Sequence, residues 1–137
     1  MESDRVLEYL VQKVEETGIG HNVTLYVQGL IVNGALMHSK EYYDMITEYF
    51  NIQEISTNDQ TEINMVKKYN EDAKQFMKDM IRQSKIDGLK YIHLRYATIK
   101  SSTTITTESI PVLAPVWRCK ISSVDAFSIG IAKIEDQ

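Results

Sequence analysis

The chain holds a single cysteine, Cys119, among 137 residues. That excludes an internal disulfide and any zinc cluster built on several thiolates. Two prolines and six glycines are too few for a Pro- or Gly-rich linker or a low-complexity tract. No apolar run approaches the roughly 20 residues that a bilayer-spanning helix needs, so no membrane span is expected. Positive charge is not in surplus either. Fifteen Lys and Arg stand against 19 Asp and Glu, a formal charge of −4. A domain that neutralises nucleic-acid phosphates carries the opposite balance, so general nucleic-acid binding is disfavoured. The opening Met1-Glu2-Ser3-Asp4-Arg5 lacks a basic stretch followed by an apolar core, the mark of a secretory signal. With the lone cysteine, this makes a cytoplasmic location the expectation, and Asn22-Val23-Thr24 is read as a chance glycosylation sequon.

Catalytic constellations are missing as well. There is no G-x-S-x-G elbow, no Gly-rich phosphate loop and no H-E-x-x-H. Gly18-Ile19-Gly20 follows a predicted helix, whereas dinucleotide motifs follow a strand, so it reads as a loop. His21 and His38 flank the open end of a predicted hairpin, but a metal site needs more ligands and a second shell to orient them. No enzyme, cofactor or metal site is expected.

What is present fits one globular domain over residues 1–137, with 43% hydrophobic and 25% charged residues, enough apolar content to exclude wholesale disorder. Residues 1–18 read as an N-terminal helix capped by Ser3, with Val6, Leu7, Leu10, Val11 and Val14 on one stripe and Gly18 as its stop. Residues 22–37 switch to period two. A two-residue turn at Gln28-Gly29 places Val27 opposite Leu30, Leu25 opposite Val32 and Val23 opposite Gly34, and gathers Val23, Leu25, Val27, Leu30, Val32 and Leu36 on one face. Gly34 inside a strand predicts a bulge or sharp bend.

Residues 39–88 read as a helical insertion. Its first helix starts at Ser39 and carries Tyr42, Met45, Ile46, Tyr49 and Phe50. The second runs from Asn58 to Asp87, capped by Thr57 or Thr61, with Ile63, Val66, Tyr69, Ala73, Phe76, Met77 and Met80 on a stripe. Residues 90–134 return to strands. Ile92, Leu94 and Tyr96 alternate with His93, Arg95 and Ala97, which puts His93 and Arg95 outward. Ser101 to Ser109 reads as a mobile loop, and Pro111 and Pro115 bracket an edge strand or extended linker. Trp117, Cys119 and Ile121 then face one way and Arg118 and Lys120 the other, before a last strand through Phe127, Ile129 and Ile131.

The predicted fold is therefore α+β: a small antiparallel SH3/Sm-like β-barrel or strongly bent sheet, with an N-terminal helix and a helical insertion after the first hairpin. Its aromatic residues exceed what this core needs. Rings and Met are enriched where proteins meet one another. The candidate interaction surface is Tyr26, Tyr43, Tyr49, His93, Arg95, Arg118 and Lys120. Two other readings stand beside it: an Sm-like RNA-binding domain, and a small-ligand domain around Trp117, His93 and Tyr96.

Two stretches carry a resemblance. Thr24-Leu25-Tyr26-Val27-Gln28-Gly29-Leu30-Ile31-Val32-Asn33-Gly34-Ala35-Leu36, with Ser39-Lys40-Glu41-Tyr42-Tyr43 after it, resembles the opening signature of the gas vesicle protein U (GvpU-like) family. Tyr91-Ile92-His93-Leu94-Arg95, and then Val116-Trp117-Arg118-Cys119-Lys120-Ile121-Ser122-Ser123-Val124-Asp125-Ala126-Phe127-Ser128-Ile129-Gly130, is similar to that family's later strands. Cys119 and Ala126 stand where the family tends to have Gly. The resemblance implies a cytoplasmic, non-enzymatic accessory protein that acts on gas vesicle assembly or organisation. Its expected partners are the gas vesicle shell, other gas vesicle accessory proteins and further copies of itself, with no catalytic residue to transfer.

Overall fold

The structure is a computed structural model that describes residues 3–53, 56–101 and 112–130. The loop expected at 101–109, beyond Ser101, and the residues after Gly130 lie outside that set. The chain divides into two compact units, one formed by the segments up to Ser39 and from Leu89 onward, the other by Lys40–Gly88.

In the first unit, helix α1 (Arg5–Thr17) is capped by Asp4, not Ser3: the Asp4 carboxylate accepts from the Val6 and Leu7 amides. An ionised cap satisfies two orphan donors and complements the helix dipole, which a serine hydroxyl does less well. The Ser3 hydroxyl instead donates to Glu8. At the far end Gly18 is left-handed and its amide bonds the Val14 carbonyl. Leu7, Val11 and Val14 are buried, whereas Val6 is 58% exposed and lies off the stripe.

Five strands follow: β1 (Asn22–Val27), β2 (Leu30–Leu36), β3 (Tyr91–Ser101), β4 (Val112–Lys120) and β5 (Ala126–Ile129). All pairings are antiparallel and the order is β4-β3-β2-β1-β5. Among the described residues β4 and β5 remain the two edges, so the sheet is open and not closed into a barrel. A 3₁₀ turn (Ile121–Ser123) joins β4 towards β5.

The β1–β2 register is the expected one, with Val27 opposite Leu30, Leu25 opposite Val32 and Val23 opposite Gly34. Gln28 and Gly29 both have positive φ, the type I′ geometry whose twist matches the strands. A non-glycine in that first position is strained, and the turn is held from outside: Asp125 accepts from the Gln28 amide at 2.9 Å, while its own amide donates to the Tyr26 carbonyl at 2.8 Å. Leu7, Val11 and Val14 of α1 join Val23, Leu25, Val32, Leu36, Ile92 and Leu94 in one core, with Trp117 and Phe127 packed against it. Leu30, at the hairpin tip, is 38% exposed and stays at the margin.

Gly34 does mark a bulge, but the extra residue belongs to its neighbour. Asn33 pairs with Thr98 and Ala35 with Arg95, so Tyr96 and Ala97 together oppose Gly34. Tyr96 has φ 52°, and beyond it the faces exchange: Ala97 is fully buried and Tyr96 is 77% exposed. This corrects the alternation that placed Tyr96 with Ile92 and Leu94. A side chain on Gly34 would sit 3.1 Å from Leu94 Cβ, so glycine leaves the room the bulge needs.

The second unit contains the body of helix α2 (Ser39–Phe50) and helix α3 (Gln60–Asp87). The α3 cap is Asp59, whose carboxylate accepts from the Thr61 amide; Thr57 instead accepts from the Asp59 amide. The Asn70 side chain bonds both the amide and the carbonyl of Ile52 at 2.9 Å, so the chain after α2 is fastened to α3 by a strand-like pair of bonds. Met77 is buried, and Ile63, Val66, Ala73 and Met80 are half-buried on its side of the helix. Tyr69 and Phe76, expected on that stripe, are 48% and 57% exposed.

Two outcomes test this account. Leu25→Ala should lower the free energy of unfolding by about 3 kcal/mol, and Tyr26→Ala by less than about 1 kcal/mol, because period two sends one inward and its neighbour outward. Urea denaturation followed by circular dichroism reads both. Asn70→Ala should remove about 1–2 kcal/mol of local protection at the Ile52 amide, measured by hydrogen exchange, with β1 and β2 amides unchanged.

Candidate functional site

The side of the β3–β4 ladder opposite the core gathers most of the sequence-predicted site. Strand parity turns Ile92 and Leu94 inward, so Tyr91, His93 and Arg95 take the other face. On β4, Lys120 pairs with Tyr91, Arg118 with His93 and Val116 with Arg95. Over the described parts of 90–120 the ladder carries Lys90, Arg95, Lys100, Arg118 and Lys120 and no Asp or Glu. The Arg118 guanidinium lies 3.7 Å from the Tyr91 ring centroid, a stacked cation–π contact that holds its plane against the strand.

His93 departs from expectation. It lies on the predicted face but is 5% exposed, not outward. Burial pushes the imidazole pKa down to about 3, and the nearby charges of Arg118 and His38 push the same way. At neutral pH the ring is therefore uncharged, and it is not poised to exchange protons. Alternation alone cannot distinguish a buried polar side of a sheet from a wet one, so the sequence held no signal for this.

A second cluster lies where α1 ends. Glu15 accepts from the Ser39 amide at 2.7 Å and the Ser39 hydroxyl at 2.8 Å, and its carboxylate is 3.4 Å from His38 Nε2. Ser39 is buried and its hydroxyl is directed to Glu15. Nothing in spacing pointed to Glu15, because the contact joins residues 24 apart in sequence.

The remaining expected residues are dispersed. Tyr26 is exposed on β1 in the row Tyr26–Ile31–Lys100, towards the hairpin tip. Tyr43 and Tyr49 belong to the second unit. Tyr43 is buried in a T-shaped contact with Tyr42 at 5.4 Å, and Tyr49 is 61% exposed. Trp117, His93 and Tyr96 do not converge on one pocket: Trp117 packs against the core, His93 takes the opposite face and Tyr96 projects from the bulge. Among the described residues no group of three or more His, Cys, Asp or Glu can hold a metal ion. Burial raises the Cys119 thiol to about 11, so it is protonated and weakly nucleophilic at neutral pH.

The His93 environment sets a pH dependence. Its folded pKa is near 3 against an ordinary 6.5, so between those values the unfolded chain binds the extra proton. Stability should therefore rise with pH from about 3 to 6.5 and level off above. His93→Gln should flatten this slope, narrowing the difference between pH 4 and pH 7 by about 2–3 kcal/mol, as measured by urea denaturation at each pH.

A family model described as gas vesicle protein GvpU-like matches residues 4–132. No curated protein and no solved structure matches the chain. The match spans both signature stretches, and the fold explains why they occur together: β1 of the first pairs with β5 of the second, and Asp125 of the second holds the turn of the first. The chain belongs to the GvpU-like gas vesicle protein family.

Proposed function

We propose that this protein is a non-enzymatic, cytoplasmic gas vesicle accessory protein, a self-associating interaction module that acts on gas vesicle assembly or organisation. The observation that carries the reading is the family match over residues 4–132. Its partners are the gas vesicle shell, other gas vesicle accessory proteins and further copies of itself. Supporting it, the chain displays many rings and long apolar side chains to solvent: Tyr49, Phe50, Met65, Tyr69 and Phe76 in the helical unit, and Tyr96, Val112 and Leu113 on the sheet. Such residues give contact area at small entropic cost. Among the described residues no helix is long and apolar enough to cross a membrane.

The reading without catalysis is supported by two groups that chemistry would otherwise recruit. The Cys119 thiol is held protonated, and the buried imidazole of His93 is held neutral. Within this proposal Tyr26, Arg95, Arg118 and Lys120 of the first unit and Tyr49 of the second are the contact residues, and Tyr43 and His93 are buried. The strand order, the bulge at Gly34 and the 3₁₀ turn after β4 support an SH3/Sm-like relationship for the sheet.

Flotation tests the function. Purified protein mixed with buoyant gas vesicles should rise with them during slow centrifugation, and deletion of its gene should change vesicle yield or grouping in the cell. Protein that stays in the subnatant, together with a deletion that leaves vesicles unchanged, would remove the proposal. Tyr49→Ala combined with Arg118→Ala should reduce the floated fraction by about fivefold or more, since interface energy concentrates in aromatic and Arg residues.

A further inference from the structure

At the end of the β3–β4 ladder, beside the Tyr91–Lys120 pair, the surface opens into a cleft of about 330 Å³. Lys90, Tyr91, Lys120, Ser122, Ser3 and Leu89 line it, all within the first unit. Its volume lies at the lower end of the range for small-molecule sites, roughly 300–1,000 Å³. One backbone bond builds it. The Ile121 amide donates to the Lys90 carbonyl at 2.9 Å, which draws the segment before β3 against the segment after β4. Both lysine side chains are thereby brought to one opening, and both are exposed.

The charge pattern of this opening is one-sided. Two lysines line it, Arg118 stacks on the Tyr91 ring, and among the described residues no Asp or Glu lines it. Two like charges drawn together repel, and an anion between them turns that repulsion into attraction. Tyr91 and Ser122 add hydroxyl groups that can donate to oxygen, and Leu89, 41% exposed, gives one apolar wall. Glu8 stands one bond behind the rim, because the Ser3 hydroxyl donates to it, so the α1 side is the less favourable for an anion.

We infer that the Lys90–Lys120 cleft is a binding site for a phosphate group, either free or carried on a small organic molecule. A phosphate dianion matches two ammonium groups and neighbouring hydroxyl donors better than a single carboxylate does, because it offers more charge and more acceptor oxygens. The site does not rest on the gas vesicle reading and stands or falls separately from it.

The test uses the ¹⁵N-labelled full chain, titrated with inorganic phosphate or with adenosine monophosphate, against sodium chloride at matched ionic strength. Saturable shifts are expected at the Lys90, Tyr91, Lys120 and Ser122 amides, with a Kd of about 1 mM. Equal affinity for the two ligands assigns the free anion, and adenosine monophosphate binding about tenfold tighter assigns the carried phosphate; both outcomes support the site. The double variant K90Q/K120Q alters exposed side chains only, so its spectrum should stay dispersed while Kd rises by at least about tenfold. E8Q should tighten binding by about twofold, by removing a negative charge one hydrogen bond from the rim. Three outcomes would overturn the inference: no saturable shift up to about 20 mM ligand, the same shifts with chloride, or an unchanged Kd in K90Q/K120Q.

Discussion

The sheet of this protein depends on one tight turn and the carboxylate that holds it. Gln28 and Gly29 sit at positive φ, and Asp125 grips the Gln28 amide and the Tyr26 carbonyl from the far side of the sequence. A two-residue loop fixes register, and a slip by one residue would exchange the two faces of both strands. With that register Val23, Leu25 and Val32 meet Leu7, Val11 and Val14 of the N-terminal helix. The same residue immediately precedes β5, which pairs with β1, so its carboxylate and its amide tie the hairpin turn to the start of the C-terminal strand.

Much of this was legible because the relevant physics is local. Period-two alternation either side of a Gly-containing dipeptide specifies hairpin and register without knowledge of distant residues, and the α1 stripe specifies its buried face. The two family signatures were also legible as separate strings, though not as neighbours. Only the fold shows that their residues pair across β1 and β5.

What escaped the sequence depends on contacts between strands or on competition among nearby caps. Tyr96 carries no mark of a left-handed residue. Its conformation answers an absent side chain on the adjacent strand, at Gly34. His93 looks solvent-facing by alternation, yet both sides of the sheet are dry at that position. In α3 the apolar residues fall on more than one face, so a single stripe drawn through them joined Tyr69 and Phe76 to Met77, and exposure separates them. At the helix starts Asp4 and Asp59 took the roles expected of Ser3 and of Thr57 or Thr61, since several residues with capping chemistry stood within a turn of each other.

Strands β2 and β3 are antiparallel neighbours, and the Met37 amide still bonds the His93 carbonyl just past the end of β2. A connection there needs only a handful of residues. The connection instead contains the whole of Lys40–Gly88. Its length is thus unconstrained by the β2–β3 pairing, which makes this stretch the natural place for kindred chains to diverge in size while that pairing stays the same.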